Sequence, residues 1–258
     1  MKHNKAFTLI ELLVVIAIIA LLIAIILPAL GGAQTTARQT LSISNVRSIG
    51  QTFMMYADTH RTYPFPGQIE DIDSPIPGED LYSYNWFPEG TIVATTAVWD
   101  VGTLWPALVS SITPWPEAYA TWVSPGRDKS LPTFDSIIND VEPTEVVSYE
   151  YSNSFLASSR NWSGNANEDP SLIGPVRPDE VTYTSQKVML WDRHLTYLTE
   201  QPKIVEGHYD AKTPMVFADQ HAKAHNPLDA REGTPNPTNQ TDIRRLHNTK
   251  DGVRGIDY

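Results

Sequence analysis

Four of the seven histidines fall between residues 194 and 225, interleaved with aspartates: Asp192-Arg193-His194, His208, Asp219-Gln220-His221 and His225. Imidazole and carboxylate at this density are ligand types for a zinc-like ion. The spacing argues otherwise. Pro227 and the strand-like residues before it disfavour a helix through His221 and His225, and no His-Glu-x-x-His run occurs. The alternative is that these side chains sit at strand ends and hydrogen-bond the turns between them. No nucleophile elbow, Walker loop or dinucleotide-binding glycine pattern is present, so no enzyme is expected.

A second chemical question sits at the opposite end of the chain. Glu11 stands at the mouth of an apolar run in which residues 12–27 carry no polar side chain. An ionisable group there needs a partner or a function. If the chain is cut between Ala6 and Phe7, the new α-amine of one subunit can pair with Glu11 of a neighbour. Loss of the basic leader, residues 1–6, and gain of an assembly contact then become one event.

Both groups of residues need elements to position them. Residues 7–30 as a helix would span ~36 Å, enough for a hydrocarbon core of ~30 Å. Lys2 and Lys5 precede the run, which keeps the leader cytoplasmic and sends the rest of the chain outward. Two other readings are an uncleaved signal anchor and a secretory signal cut near Ala29-Leu-Gly-Gly-Ala33. Pro28 is expected to kink or locally melt the helix, with Gly31-Gly32 as a second weak point. Beyond them Ala37, Leu41, Ile43, Val46, Ile49, Phe53 and Tyr56 recur near helical spacing, so residues 31–62 read as an amphipathic helix joining a head. Gly50 is a cost within it, not a stop.

The head is expected over residues 63–258. Its first part, 63–132, mixes prolines with Trp86, Trp99, Trp105, Trp115 and Trp122 and reads as a loop-rich insertion with a short strand near 91–98. The tryptophans either pin loops to a core or, through Trp99 and Trp115, form a glycan- or surface-binding platform. Past Pro143, residues 145–151, 181–184, 185–191 and 214–218 have the branched and aromatic content of strands. Residues 161–170 read as a polar loop, and 226–258 as an extended tail onto which Ile243 and Leu246 could dock. The sum is an α+β fold, a long kinked N-terminal helix packed on an antiparallel sheet.

The formal charge is −11 and would become −13 on removal of Lys2 and Lys5. With no basic stripe, a nucleic-acid partner is excluded. Cysteine is absent, so an exported head must hold together without disulfides.

The run Lys5-Ala6 followed by Phe7-Thr8-Leu9-Ile10-Glu11-Leu12 resembles the class III signal of type IV pilins and type II secretion pseudopilins, although members usually carry Gly where Ala6 stands. The resemblance implies cleavage after Ala6 and N-methylation of Phe7 by a prepilin peptidase. It implies assembly through Glu11 with other pilin-like subunits on an inner-membrane platform. It also implies a single-pass inner-membrane protein with a periplasmic head, found in a filament or at the cell surface after assembly. The rival is a membrane-anchored exported binding protein for a glycan or surface. Ser44-Asn45-Val46-Arg47-Ser48-Ile49-Gly50, Tyr56-Ala57-Asp58 and Tyr63-Pro64 are further similar to planctomycete-type pilin-like proteins that carry a C-terminal His-x9-Asp-Gly domain. Many of those have cysteines where Ser42 and Ser124 stand here, which implies joint loss of one disulfide. His208 and Val216-Phe217-Ala218-Asp219, with His221, look like that signature, but ten residues separate His208 from Asp219 and Gln220 replaces the glycine. If the glycine is left-handed, the turn must be rebuilt around Gln220. His208 and Asp219 then read as organisers of a terminal hairpin. No resident cofactor is expected. Calcium near Asp192, Asp210 or Asp219, as in some pseudopilins, is the one candidate, without an EF-hand-like loop behind it.

Overall fold

The computed structural model describes residues 9–68, 80–86, 90–96, 101–132, 146–164, 170–236 and 243–258. The leader, Phe7, Trp99 and the beginning of the strand expected at Glu145 lie outside them. Helix α1, Leu9–His60, runs for 52 residues without interruption, about 78 Å at the usual rise. It passes through Pro28 and Gly31-Gly32, where local melting is expected from the sequence. Just beyond, the hydroxyls of Thr35 and Thr36 donate to the carbonyls of Gly31 and Gly32 at 3.2 and 3.0 Å. The helix stops at Arg61, whose φ of +65° is the left-handed cap conformation.

The two halves of α1 live in different surroundings. From Leu9 to Leu30 every side chain is exposed. From residue 42 on, one face buries Ser42, Asn45, Val46, Ile49, Gly50, Thr52, Phe53 and Ala57, a stripe at three- and four-residue spacing. Leu41, expected in that stripe, stays exposed.

After α1 come β1 (Gly67–Gln68), β2 (Asp80–Trp86) and β3 (Gly90–Thr96), a three-stranded antiparallel sheet in that order. Two short helices follow, α2 (Val101–Val109) and α3 (Trp115–Trp122). The sequence reading missed both. Pro106 falls inside α2, and Pro116 occupies the first turn of α3, where a missing N–H costs nothing. Their tryptophans are structural: Trp105, Trp115 and Trp122 are at most 1% exposed. Trp105 donates from Nε1 to the Tyr149 carbonyl at 2.7 Å and meets Trp122 and Phe53 edge-on. Trp115 therefore forms no surface platform.

The main sheet has the order β4-β5-β8-β9 and is antiparallel throughout, with β4 at Tyr149–Tyr151, β5 at Val188–Asp192, β8 at Thr213–Phe217 and β9 at Ala222–His225. Between β5 and β8 lies a small hairpin, β6 (Ile204–Val205) and β7 (His208–Tyr209). Its turn residues Glu206 and Gly207 both have positive φ, the hairpin conformation that follows strand twist. Central strands β5 and β8 are buried at every position, and the second half of α1 packs across them. Gly50 permits this approach: a Cβ there would stand 2.8 Å from Gln220 Oε1 and 2.9 Å from a Val216 methyl.

Two further expectations fail. Residues 181–184 are a loop, not a strand. Residues 226–258, among those described, fold inward: Leu246, Asn248, Val253 and Asp257 are buried, while Ile243 is exposed. Asp257 accepts from the backbone N–H of Val188 at 2.8 Å and pairs with Lys187 at 3.2 Å, so this segment closes the core at the start of β5.

Candidate functional site

The exposed half of α1 stands out chemically among the described residues. A contiguous apolar surface of this size is foreign to a soluble monomer. Among the described residues α1 is the one helix long and apolar enough to cross a membrane, and none of its apolar window is buried against the head. Glu11 and Pro28, both singled out from the sequence, lie on this half, and both are exposed. Ala6 and Phe7 precede the described residues.

The α1-to-sheet junction holds a buried carboxylate. Asp192, at the end of β5, is 1% exposed. Its Oδ2 accepts from Ser42 Oγ at 2.7 Å and Ser124 Oγ at 2.8 Å. Its Oδ1 accepts from the backbone N–H groups of His194 and Leu195, both at 3.1 Å. Burial pushes the carboxyl up, and these four donors pull it back. The Tyr149 hydroxyl shares a 3.1 Å hydrogen bond with Ser42. The two positions where the resemblance implies a disulfide thus converge on one carboxylate oxygen, which ties α1, the loop after α3 and β5 together by hydrogen bonds. With its oxygens engaged by four donors, Asp192 does not fit a calcium site.

His208, Asp219 and His221 fall into two separate sets of hydrogen bonds. His208, buried on β7, donates from Nε2 to the Arg245 carbonyl at 2.8 Å and packs edge-on to Trp191. Burial lowers its pKa. It fastens the hairpin to the C-terminal segment. Asp219 and His221 belong to the β8–β9 turn: Asp219 Oδ1 accepts from the His221 backbone N–H at 3.1 Å and from its Nδ1 at 2.6 Å. His221 also stacks on Phe217 with ring centroids 4.1 Å apart. Gln220 has φ +73°, so this turn places a side chain at a left-handed position. Among the described residues no three His, Asp or Glu side chains gather as a metal-ligand set.

Sequence reasoning missed one buried ion pair and one carboxylate–imidazole contact. Lys187 Nζ, fully buried, donates to Ser154 Oγ at 2.9 Å and to Thr249 Oγ1 while pairing with Asp257. Burial lowers its pKa against the pull of Asp257. Glu150 on β4 lies 3.1 Å from His247. Burial would raise that carboxyl, but His247, Arg193 and Arg244 outweigh it and hold it below the usual range. A lysine amid strand residues and an Asp-Tyr pair in a polar segment were the available signals, and neither names its partner.

No curated protein and no solved structure matches the chain. A family model described as the prokaryotic N-terminal methylation motif matches residues 1–27. That match covers the chemistry read from Ala6 to Glu11 and none of the head: the chain carries a prepilin-type N-terminal methylation motif on the helix that projects from an α+β head.

Proposed function

We propose that this protein is a pilin-like structural subunit, cut after Ala6, N-methylated on Phe7 and assembled through α1 into a filament of the type II secretion pseudopilus or type IV pilus kind. The observation that carries the reading is the pairing of the N-terminal methylation motif with a helix half that is apolar, exposed and long enough to span a bilayer. Before assembly that half sits in the inner membrane with the head outside. On assembly it exchanges lipid for the helices of neighbouring subunits. Glu11 is then removed from water, which is tolerable only when the carboxylate is paired, and the Phe7 amine of an adjacent subunit supplies the pair. Pro28, which lacks a backbone N–H, marks where α1 unwinds most readily during packing.

Glu11→Ala is expected to leave cleavage intact while lowering the yield of sheared filaments about tenfold or more, since a pairing worth ~1.4 kcal/mol is already a factor of ten. Filaments at the normal rate would remove the pairing mechanism. Mass spectrometry of the N-terminal peptide separates the two assemblies. Methylated Phe7 in sheared extracellular material supports a surface pilus, and the same peptide confined to membrane and periplasm supports a pseudopilus. An intact Met1 throughout would overturn the reading.

A further inference from the structure

Lys187 stands at the entrance to β5 with its side chain fully buried, and Asp257, from the 243–258 segment, is 2% exposed beside it. The lysine Nζ lies 3.2 Å from Asp257 Oδ2 and 3.4 Å from Oδ1. With both oxygens nearly equidistant, the nitrogen faces the carboxyl group as a whole, at the roughly 3–3.5 Å separation of groups poised to react. Ser154 Oγ accepts from Nζ at 2.9 Å, and the Phe155 ring centre lies 5.8 Å from it. Two charges shut away from water carry a high desolvation cost, and a buried pair relieves it by passing a proton across and becoming neutral. Burial lowers the Lys187 pKa against the pull of Asp257, in the direction of the free amine.

The hydrogen bonds around the pair run in the direction that a condensation needs. Lys187 Nζ donates to Thr249 Oγ1, and that hydroxyl donates in turn to Asp257 Oδ1 at 2.5 Å. A proton therefore has a path from the ammonium to Oδ1. The other oxygen, Oδ2, accepts from the backbone N–H of Val188 at 2.8 Å. That donor is aimed where negative charge develops when an amine adds to the carboxyl carbon. Nucleophile, carboxyl carbon, proton relay and oxyanion donor thus meet in one buried cluster, shielded from the water that would reverse the reaction.

We propose that Lys187 and Asp257 join in an amide cross-link that staples the 243–258 segment to the start of β5. The ammonium first passes one proton through Thr249 to Oδ1, leaving an amine and a carboxylic acid. The Nζ lone pair then adds to the carboxyl carbon and forms the C–N bond, while Val188 holds the charge that develops on Oδ2. The nitrogen gives up a second proton along the same relay, the bond from carbon to Oδ1 breaks, and one water leaves. No electrons are exchanged with another molecule, and no co-reactant enters. The chain has no cysteine, and this bond is a covalent tie made without thiols. It closes a loop from residue 187 to residue 257, a constraint on the unfolded chain of the kind a disulfide supplies.

The test is mass spectrometry of the full chain, purified in detergent, denatured and cut with trypsin. Trypsin cleaves after Arg193 and Arg254 but not after a lysine whose Nζ is acylated. The expected product is one species in which residues 255–258 are linked to a peptide uncut at Lys187, lighter than its two parts by one water. Lys187→Met and Asp257→Ala should each abolish it. Thr249→Val keeps the shape of the side chain and removes the relay, so the linked fraction should fall about tenfold or more. Separate peptides of full mass carrying Lys187 and Asp257 in the parent chain would overturn the proposal and leave an ion pair. A water lost within a single unlinked peptide, as ring closure at Asp251-Gly252 would give, overturns it equally. Linkage undiminished in Thr249→Val overturns the assigned relay.

Discussion

His194, His208 and His247 are hydrogen-bonding groups held neutral by burial, and that gives the protein a pH dependence. Burial lowers His194, to about 4, and also lowers His208 and His247. In the unfolded chain each imidazole takes up its proton near its ordinary pKa of ~6.5. Between that value and the folded one the unfolded state binds more protons, so stability is complete above about pH 6.5 and falls as the pH drops below it. The raised carboxyl of Asp192 pulls the opposite way, and the three imidazoles outnumber it. The melting temperature is expected to be roughly 5 °C lower at pH 5 than at pH 7, and His194→Gln should shrink the difference. An unchanged or higher value at pH 5 would refute this assignment. At the same scale, Ser42→Ala removes one of two hydroxyl donors to a buried carboxylate. It should cost about 1–3 kcal/mol in denaturant unfolding, well above a surface substitution. Of these residues the sequence singled out Ser42, Ser124 and His208 through family likeness. It could not show that Asp192 joins the two serines, because contacts 68 and 150 residues apart leave no local pattern.

Among the elements, Gly50 gives the clearest test. By helix propensity alone Gly50→Ala should stabilise α1 by about 1 kcal/mol. Packed against β8 and the β8–β9 turn, the added methyl meets Val216 and Gln220 below contact distance. The expected outcome is a loss of about 1–3 kcal/mol, as for overpacked cores. Gln220→Gly acts on the other side of the same contact. It relieves a left-handed residue and should raise stability by up to about 1 kcal/mol. The long helix and strands β5 and β8 were legible to within a few residues, because apolar periodicity and branched residues mark them directly. Helices α2 and α3 were not, because their prolines read as breakers while packing of Trp105, Trp115 and Trp122 decides the outcome. Residues 243–258 were misread for a related reason. They dock largely through Asn248, Thr249 and Asp257, polar residues whose burial depends on partners far away in the sequence.

For the whole molecule, the division of α1 predicts that anchoring and folding are separable. Ile19→Lys places a charge in the exposed half, where insertion into a bilayer costs about 2.5–3.5 kcal/mol, yet that half makes no buried contact with the head. Membrane retention in fractionated cells should fall, while the melting temperature of the head stays within about 1 °C of the parent. A drop in both would mean that the halves are coupled. The unbroken course of α1 also has a mechanical consequence. Tension applied at its exposed end runs along the helix axis into the head. It meets first the Gln39 bond to the Lys212 carbonyl, then the Ser42–Asp192 contact, then the row of side chains from Val46 to Ala57. Because these attachments follow one another along α1, a pull along the helix axis reaches them in turn, starting at Gln39. The buried half of the helix is thus the root of the anchor, and the head resists extraction through contacts spread from Gln39 to Ala57.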